Sequence, residues 1–163
     1  MSAHESDVEV VVGRLLKERG FTLAVAESCT GGLVGTRITD VPGSSAYYLG
    51  SVVAYASDVK ERVLGVHGET LRLHGAVSEP AAIEMARRVR GLMEADLGLS
   101  VTGIAGPGRG TAEKPVGLVY VGLAGPGAEL AQRYLWDGDR RQNRAWSAEA
   151  ALDLLRAYLE GEL

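Results

Sequence analysis

The stretch from Leu23 to Gly32 (Leu-Ala-Val-Ala-Glu-Ser-Cys-Thr-Gly-Gly) constrains the fold of this chain more than any other. An apolar run of small and β-branched residues stops at a carboxylate, Glu27. Two hydroxyls flanking a thiol follow, then two glycines. The run has the composition of a short buried strand. Leu33 to Ile38 return to helical spacing, so Ser28 to Gly32 are expected to form the turn between strand and helix. Such a turn aims the N–H groups of a helix N-terminus at its contents, which suits an anion or a developing oxyanion. Gly31 and Gly32 remove Cβ atoms from the approach of a ligand. A serine at that point is placed for nucleophilic attack with donors close by. The same residues also satisfy ordinary N-capping and turn chemistry, so the stretch by itself leaves both readings open.

Periodicity along the rest of the chain supplies the other elements. Val8, Val11, Val12, Leu15 and Leu16 recur at helical spacing before Gly20, which predicts a helix over 5–19. Strands are expected over 21–27, 48–56, 99–105, 116–123 and 129–135. Helices are expected over 33–39, 59–64 (capped by Ser57), 78–95 (Ser78 as N-cap, Pro80 in the first turn) and 140–159. The segment 65–77 reads as irregular or as a short helix. The last two strands flank a Gly-Pro-Gly turn and should form a hairpin, which requires at least one antiparallel strand. Strands alternating with helices therefore predict a single three-layer α/β/α domain over 1–163 with a mixed, mostly parallel sheet.

Size and charge narrow the function. A chain of 163 residues suffices for one core and is short for two. Its 22 glycines lie without a period and fit many tight turns. A net charge of −4 speaks against a general nucleic-acid surface. One cysteine precludes an internal disulfide and fits a reducing compartment. The chain has no apolar run near the ~20 residues of a membrane span, and Met1 to Asp7 are polar, unlike a signal peptide. A cytoplasmic protein without membrane contact is the expectation.

Ligands of open α/β sheets bind at the carboxyl ends of strands. Four turns qualify: 27–32, 55–60, 102–114 and 137–144. The first carries Ser28, and no histidine lies near it in sequence. A partly desolvated lysine can act as base, and the second turn offers Lys60, with Tyr55 as a relay; a solvated helix lysine is the bland alternative. The third turn, Thr102 to Gly110, resembles an anion-cradling loop without matching a Walker A or dinucleotide pattern. The fourth places Arg140, Arg141 and Arg144 at a helix start, where cations oppose the helix dipole unless they meet an anion such as phosphate. A solvated basic end fits those arginines equally well. Cys29 reads as a small buried residue. His4, His67 and His74 lack the spacing of metal ligands, so no metal is expected.

Together, the motifs Ala26 to Gly32, Val53 to Lys60, Val77 to Glu79, Val101 to Pro107, Lys114 to Gly117 and Gly138 to Arg140 resemble the CinA C-terminal domain family, across about residues 5–160. This competence/damage-inducible family includes stand-alone PncC-type nicotinamide-nucleotide amidases. The resemblance implies an α/β/α domain with a mixed sheet. It implies hydrolysis of the carboxamide of nicotinamide mononucleotide to nicotinate mononucleotide and ammonia, in pyridine nucleotide salvage and without a cofactor. By motif, Ser28 would be the nucleophile, Lys60 its base and Tyr55 an assistant. Thr102 and the backbone around Gly31 and Gly103 would shape the oxyanion site. Glu27, Thr30, Gly32 and Gly106 would complete the substrate site, with Arg140 on the phosphate. The chain departs from the family pattern at Ala56-Ser57, Arg109 and Asn143, none of which removes a proposed catalytic group. Larger relatives carry a further N-terminal pyrophosphatase-type domain, so no such activity is expected of this chain. The expected partner is a pyridine mononucleotide rather than nucleic acid. A homodimer is compatible with a small enzyme, though no stretch marks an interface. A catalytically silent nucleotide-binding regulatory domain is the competing expectation.

Overall fold

The computed structural model describes residues 4–163. The polar N-terminal stretch lies partly outside the described residues, which omit 1–3. The helix predicted over 5–19 forms as α1, Val8–Arg19, and Gly20 ends it in the left-handed region at φ 67°. The remaining helices are α2 (Leu33–Thr39), α3 (Ser57–Arg62), α4 (Gly68–His74), α5 (Glu79–Leu92) and α6 (Arg140–Leu159). The strands are β1 (Leu23–Glu27), β2 (Tyr48–Val53), β3 (Leu97–Gly103), β4 (Leu118–Gly125) and β5 (Ala128–Leu135). They make one sheet in the order β2-β1-β3-β4-β5. β1 pairs in parallel with β2 and β3, whereas β4 is antiparallel to both β3 and β5. Only β4 is therefore reversed, and the other four strands end on the same side of the sheet.

Alternation along β1 divides the core. Leu23 and Val25 face the layer of α1, α2 and α6, with Leu97, Leu99, Val121, Leu152 and Leu155. Ala24 and Ala26 face the layer of α5, with Met85, Val89 and Leu64. The α5 side is built for close approach. A Cβ at Gly98 would overlap the Ala86 carbonyl oxygen, and one at Gly122 the Ala82 carbonyl oxygen. Ser100 Oγ donates to that Ala82 oxygen at 2.6 Å. Backbone of α5 thus rests nearly on the sheet.

Several boundaries differ from the sequence expectation, among them those of β2, β3 and α3. β2 stops at Val53 rather than residue 56. The Ala54 N–H makes a last bond to Glu27 O at 2.8 Å, and the Ala54 and Tyr55 carbonyls then turn to the Lys60 amine instead of a neighbouring strand. β3 begins at Leu97 because Gly98, which reads as a turn residue, pairs with Ala24 under α5. α3 starts at Ser57 itself. Its N-cap is Ala56, so Ser57 does not cap it. In α5, Ser78 does cap, accepting from the Ala81 N–H at 3.3 Å, and Asp139 and Gln142 form a reciprocal capping box on α6. Among the described residues, no helix is long and apolar enough to cross a membrane.

Candidate active site

The turn after β1 is fixed by the chain's own groups. Gly31 and Gly32 hold φ of 60° and 102°, a left-handed path that residues with a Cβ rarely take. The Glu27 carboxylate is fully buried and accepts from the Val34 N–H at 2.9 Å and the Gly35 N–H at 3.1 Å. The N-terminus of α2 therefore already holds an anion, and that anion is Glu27. This corrects two expectations. Glu27 is a cap rather than a substrate ligand, and the helix start is not an open oxyanion site. The Gly31 N–H is likewise taken, by Ser28 O at 3.0 Å. Thr30 is buried behind the turn, so neither it nor Gly31 and Gly32 lines the pocket.

The pocket itself occupies about 170 Å³ and brings together Ser28, Tyr55, Lys60, Thr102, Gly103, Gly106, Arg109 and Arg140. Lys60 is only 2% exposed on α3, and its Nζ lies 2.9 Å from Ser28 Oγ. Its other two bonds go to Ala54 O at 2.9 Å and Tyr55 O at 3.1 Å. None of these partners is a carboxylate. Burial pushes the Lys60 pKa below its usual value, against a smaller opposing pull from Cys29. In the neutral amine, two N–H groups can serve the two carbonyls and the nitrogen lone pair can accept from the Ser28 hydroxyl. When the amine is protonated, it donates to Ser28 Oγ instead, and the hydroxyl faces Tyr55 O at 3.5 Å.

The neighbouring groups are arranged differently from the sequence expectation. Tyr55 gives Lys60 its backbone carbonyl, not its phenol. The side chain is 60% exposed, and its hydroxyl accepts from Arg140 at 3.0 Å across the pocket mouth. Tyr55 is therefore a rim residue rather than a proton relay. Thr102 is buried and donates its hydroxyl to Ala76 O at 2.7 Å, which ties β3 to the entry of α5 and leaves that proton unavailable to an oxyanion. Gly103 fares better. Val101 O accepts from the Ser28 N–H and Ile104 N–H donates to Leu118 O, so alternation turns the Gly103 N–H toward the Ser28 side. Burial pushes the Cys29 thiol up to about 11, leaving it a neutral lining group.

Two residues of α6 hold the site together, and only Arg144 was among the sequence candidates for anion binding. Arg144 donates to Cys29 O at 3.0 Å and Thr30 O at 2.9 Å, clamping the turn that carries Ser28. Buried Asn143 accepts from the Gly138 N–H and donates to Ala105 O, each at 3.0 Å, joining the third and fourth turns. An apolar residue at this position could make neither bond. The one signal in the sequence was the amide itself, placed on the inward face of a helix. Arg140 donates to Gly106 O at 2.6 Å and, with Arg109, puts positive charge at the mouth. Among the described residues, no three His, Cys, Asp or Glu side chains are grouped to hold a metal ion.

The sequence and fold have counterparts in known proteins. The profile of the CinA C-terminal domain matches residues 5–159. The chain is 55% identical over 157 residues to a putative competence-damage inducible protein of Halothermothrix orenii, and 48% identical over 158 residues to a CinA-like protein of Thermotoga maritima. These alignments take in 96% and 97% of the chain. The chain spans 38% of the length of these curated relatives. Among solved structures, a CinA superfamily protein from Klebsiella pneumoniae superposes with a TM-score of 0.92 at 32% identity, covering 98% of this chain and 99% of that one. A competence/damage inducible protein from Agrobacterium tumefaciens gives 0.89 at 38% identity, with coverage of 98% and 99%.

Proposed function

The chain belongs to the CinA C-terminal domain family, and we propose that it acts there as a nicotinamide-nucleotide amidase in pyridine nucleotide salvage. It would hydrolyse the carboxamide of nicotinamide mononucleotide to nicotinate mononucleotide and ammonia. The observation that carries this reading is the buried Lys60 amine 2.9 Å from Ser28 Oγ, with neutral carbonyls as its only other partners. In the first step Lys60 Nζ takes the Ser28 hydroxyl proton as Oγ attacks the carboxamide carbon. The Gly103 N–H faces the oxygen that becomes negative. Lys60 returns the proton to the departing nitrogen, the C–N bond breaks, and ammonia leaves an ester on Ser28. Water then attacks the ester with Lys60 again taking a proton, releasing the carboxylate and restoring the hydroxyl. The enclosed volume fits the carboxamide-bearing ring, while the phosphate reaches the mouth, where Arg140 and Arg109 carry the complementary charge.

The test is incubation of the protein with nicotinamide mononucleotide. Ammonia and nicotinate mononucleotide are expected in equal amounts, and added hydroxylamine should divert part of the product to a hydroxamate by trapping the ester. Tight binding of the nucleotide with no ammonia would overturn the amidase and leave a regulatory domain.

The lysine base also sets a pH dependence. Its folded pKa is lowered, so the neutral base accumulates as pH rises through a value below the ordinary 10.5. Turnover is expected to climb on that limb. Lys60's own contribution to stability has the same sign. Between its folded and ordinary values Lys60 binds more protons in the unfolded chain than in the folded one, so that contribution grows as pH rises. Against it stands the opposite contribution of Cys29, whose folded pKa is raised to about 11. A turnover profile that is flat or falls between the folded and ordinary Lys60 values would remove Lys60 as the base.

A further inference from the structure

Both tryptophans of the chain lie on one concavity outside the Ser28 pocket. It has a volume of about 420 Å³, within the range of small-molecule sites, and lies between the end of β5 and the outer face of α6. Tyr134 and Trp136 stack with centroids 5.0 Å apart and planes 15° from parallel, and Trp146 stands tilted 5.9 Å from Trp136. The wall is held in place rather than loosely collapsed. The Trp136 indole N–H donates to Ser147 Oγ at 3.0 Å, Ser147 Oγ donates to Asn143 O at 2.6 Å, and the Tyr134 hydroxyl donates to Gln132 at 2.6 Å. With the polar atoms of Tyr134 and Trp136 engaged by these bonds, the three rings line the concavity with aromatic carbon.

The remaining polar lining is acidic: Asp137, Glu149 and Asp153, with no lysine or arginine. Glu149 pairs with Arg37 at 2.6 Å and Asp153 with Arg156 at 3.0 Å. Exposed Asp137 makes no ion pair among the described residues. Burial raises the Asp153 carboxyl above its usual range, so a cation brought near it would replace lost solvation. Aromatic faces carry negative potential and attract cations, most strongly for tryptophan. A phosphorylated ligand would meet repulsion here, and a neutral apolar one would gain nothing from the carboxylates.

We propose that this concavity is a binding site for a small organic cation, an alkylated ammonium group held against Trp136 and Trp146 with Asp137 at the rim. The proposal is independent of the chemistry at Ser28. Because the only tryptophans line the site, their emission reports on it directly. The experiment titrates the intact protein at constant ionic strength with choline, with tetramethylammonium and with 3,3-dimethylbutan-1-ol, the uncharged isostere of choline. Both cations should change the emission saturably, and the isostere should bind at least ~10-fold more weakly. Trp146→Ala should weaken choline roughly 5-fold or more, read through Trp136. Asp137→Asn should weaken it about 3-fold with both rings in place, which keeps the test readable if Trp146→Ala fails to fold. An isostere as effective as choline would make this an ordinary apolar patch. A response that stays linear to about 100 mM, or affinities untouched by Asp137→Asn, would equally overturn the site.

Discussion

Ser28→Ala and Lys60→Met are each expected to lower ammonia release from nicotinamide mononucleotide at least ~10³-fold, and the double variant should lose little more than either alone. The non-additivity follows from geometry. Ser28 Oγ and Lys60 Nζ share one hydrogen bond at 2.9 Å, and a hydroxyl without its base is as poor a nucleophile as a base without its hydroxyl is useless. Lys60→Arg separates base from charge. Guanidinium stays protonated at any working pH, so this variant keeps the positive field and has no lone pair. It should be as inactive as Lys60→Met. An active Lys60→Arg enzyme would show that the amine contributes only its charge. The methionine variant removes the donor to Ala54 O and Tyr55 O, at about 1–3 kcal/mol for each carbonyl left without a partner. Relief from burying an amine offsets part of that cost, so circular dichroism should show a folded protein. Kinetic loss and unfolding are then separable.

Gly98→Ala is expected to destabilise the protein by roughly 3 kcal/mol, while Gly91→Ala, seven residues away, should stabilise it by about 0.5–1 kcal/mol. A methyl group at Gly98 would run into the Ala86 carbonyl oxygen and stand 2.9 Å from both the Ala86 carbonyl carbon and Arg90 Cβ. Two of those three atoms are backbone, so no rotamer change relieves the clash, and α5 must lift from the sheet. Gly91 lies inside α5 with nothing within 4 Å of its would-be Cβ, leaving only the helix preference for alanine. Urea midpoints for the two variants should move in opposite directions. Gly98→Ala should also slow turnover, because the entry of α5 supplies the Ala76 carbonyl that receives Thr102. Equal midpoints would mean that α5 does not rest on the sheet as described.

Much of this architecture could be read along the chain. α2 and α6 have the bounds their periodicity and caps predict, and the Pro126-Gly127 turn joins β4 to β5 as a hairpin. Ser28 and Lys60 were legible as candidates because a strand-to-helix turn and a short helix start leave few other reactive groups at strand ends. The errors share one cause: side chains already engaged by partners that only the folded chain brings to them. Glu27 looked available for substrate, yet its carboxylate already accepts from the Val34 and Gly35 N–H groups. Tyr55 looked like a relay, yet its phenol meets Arg140, 85 positions later. Thr102 looked like an oxyanion donor, yet its proton belongs to Ala76.

By itself, then, the sequence determined the order of strands and helices, the continuous apolar runs that bury both faces of β1, β3 and β4, and the reactive groups set at the turns. Those are local properties, governed by side-chain periodicity, caps and backbone freedom over a few residues. Tertiary structure alone decided which groups remain free to react. Enclosing Lys60 among the Ser28 hydroxyl and two carbonyls requires α3 to fold back under the end of β2. Holding the turn that carries Ser28 requires Arg144 to reach across 115 positions to Cys29 O. A donor spent on one partner is unavailable to another, and burial makes an amine easier to deprotonate for want of water. Both effects depend on distance in space, which the linear order of residues does not contain.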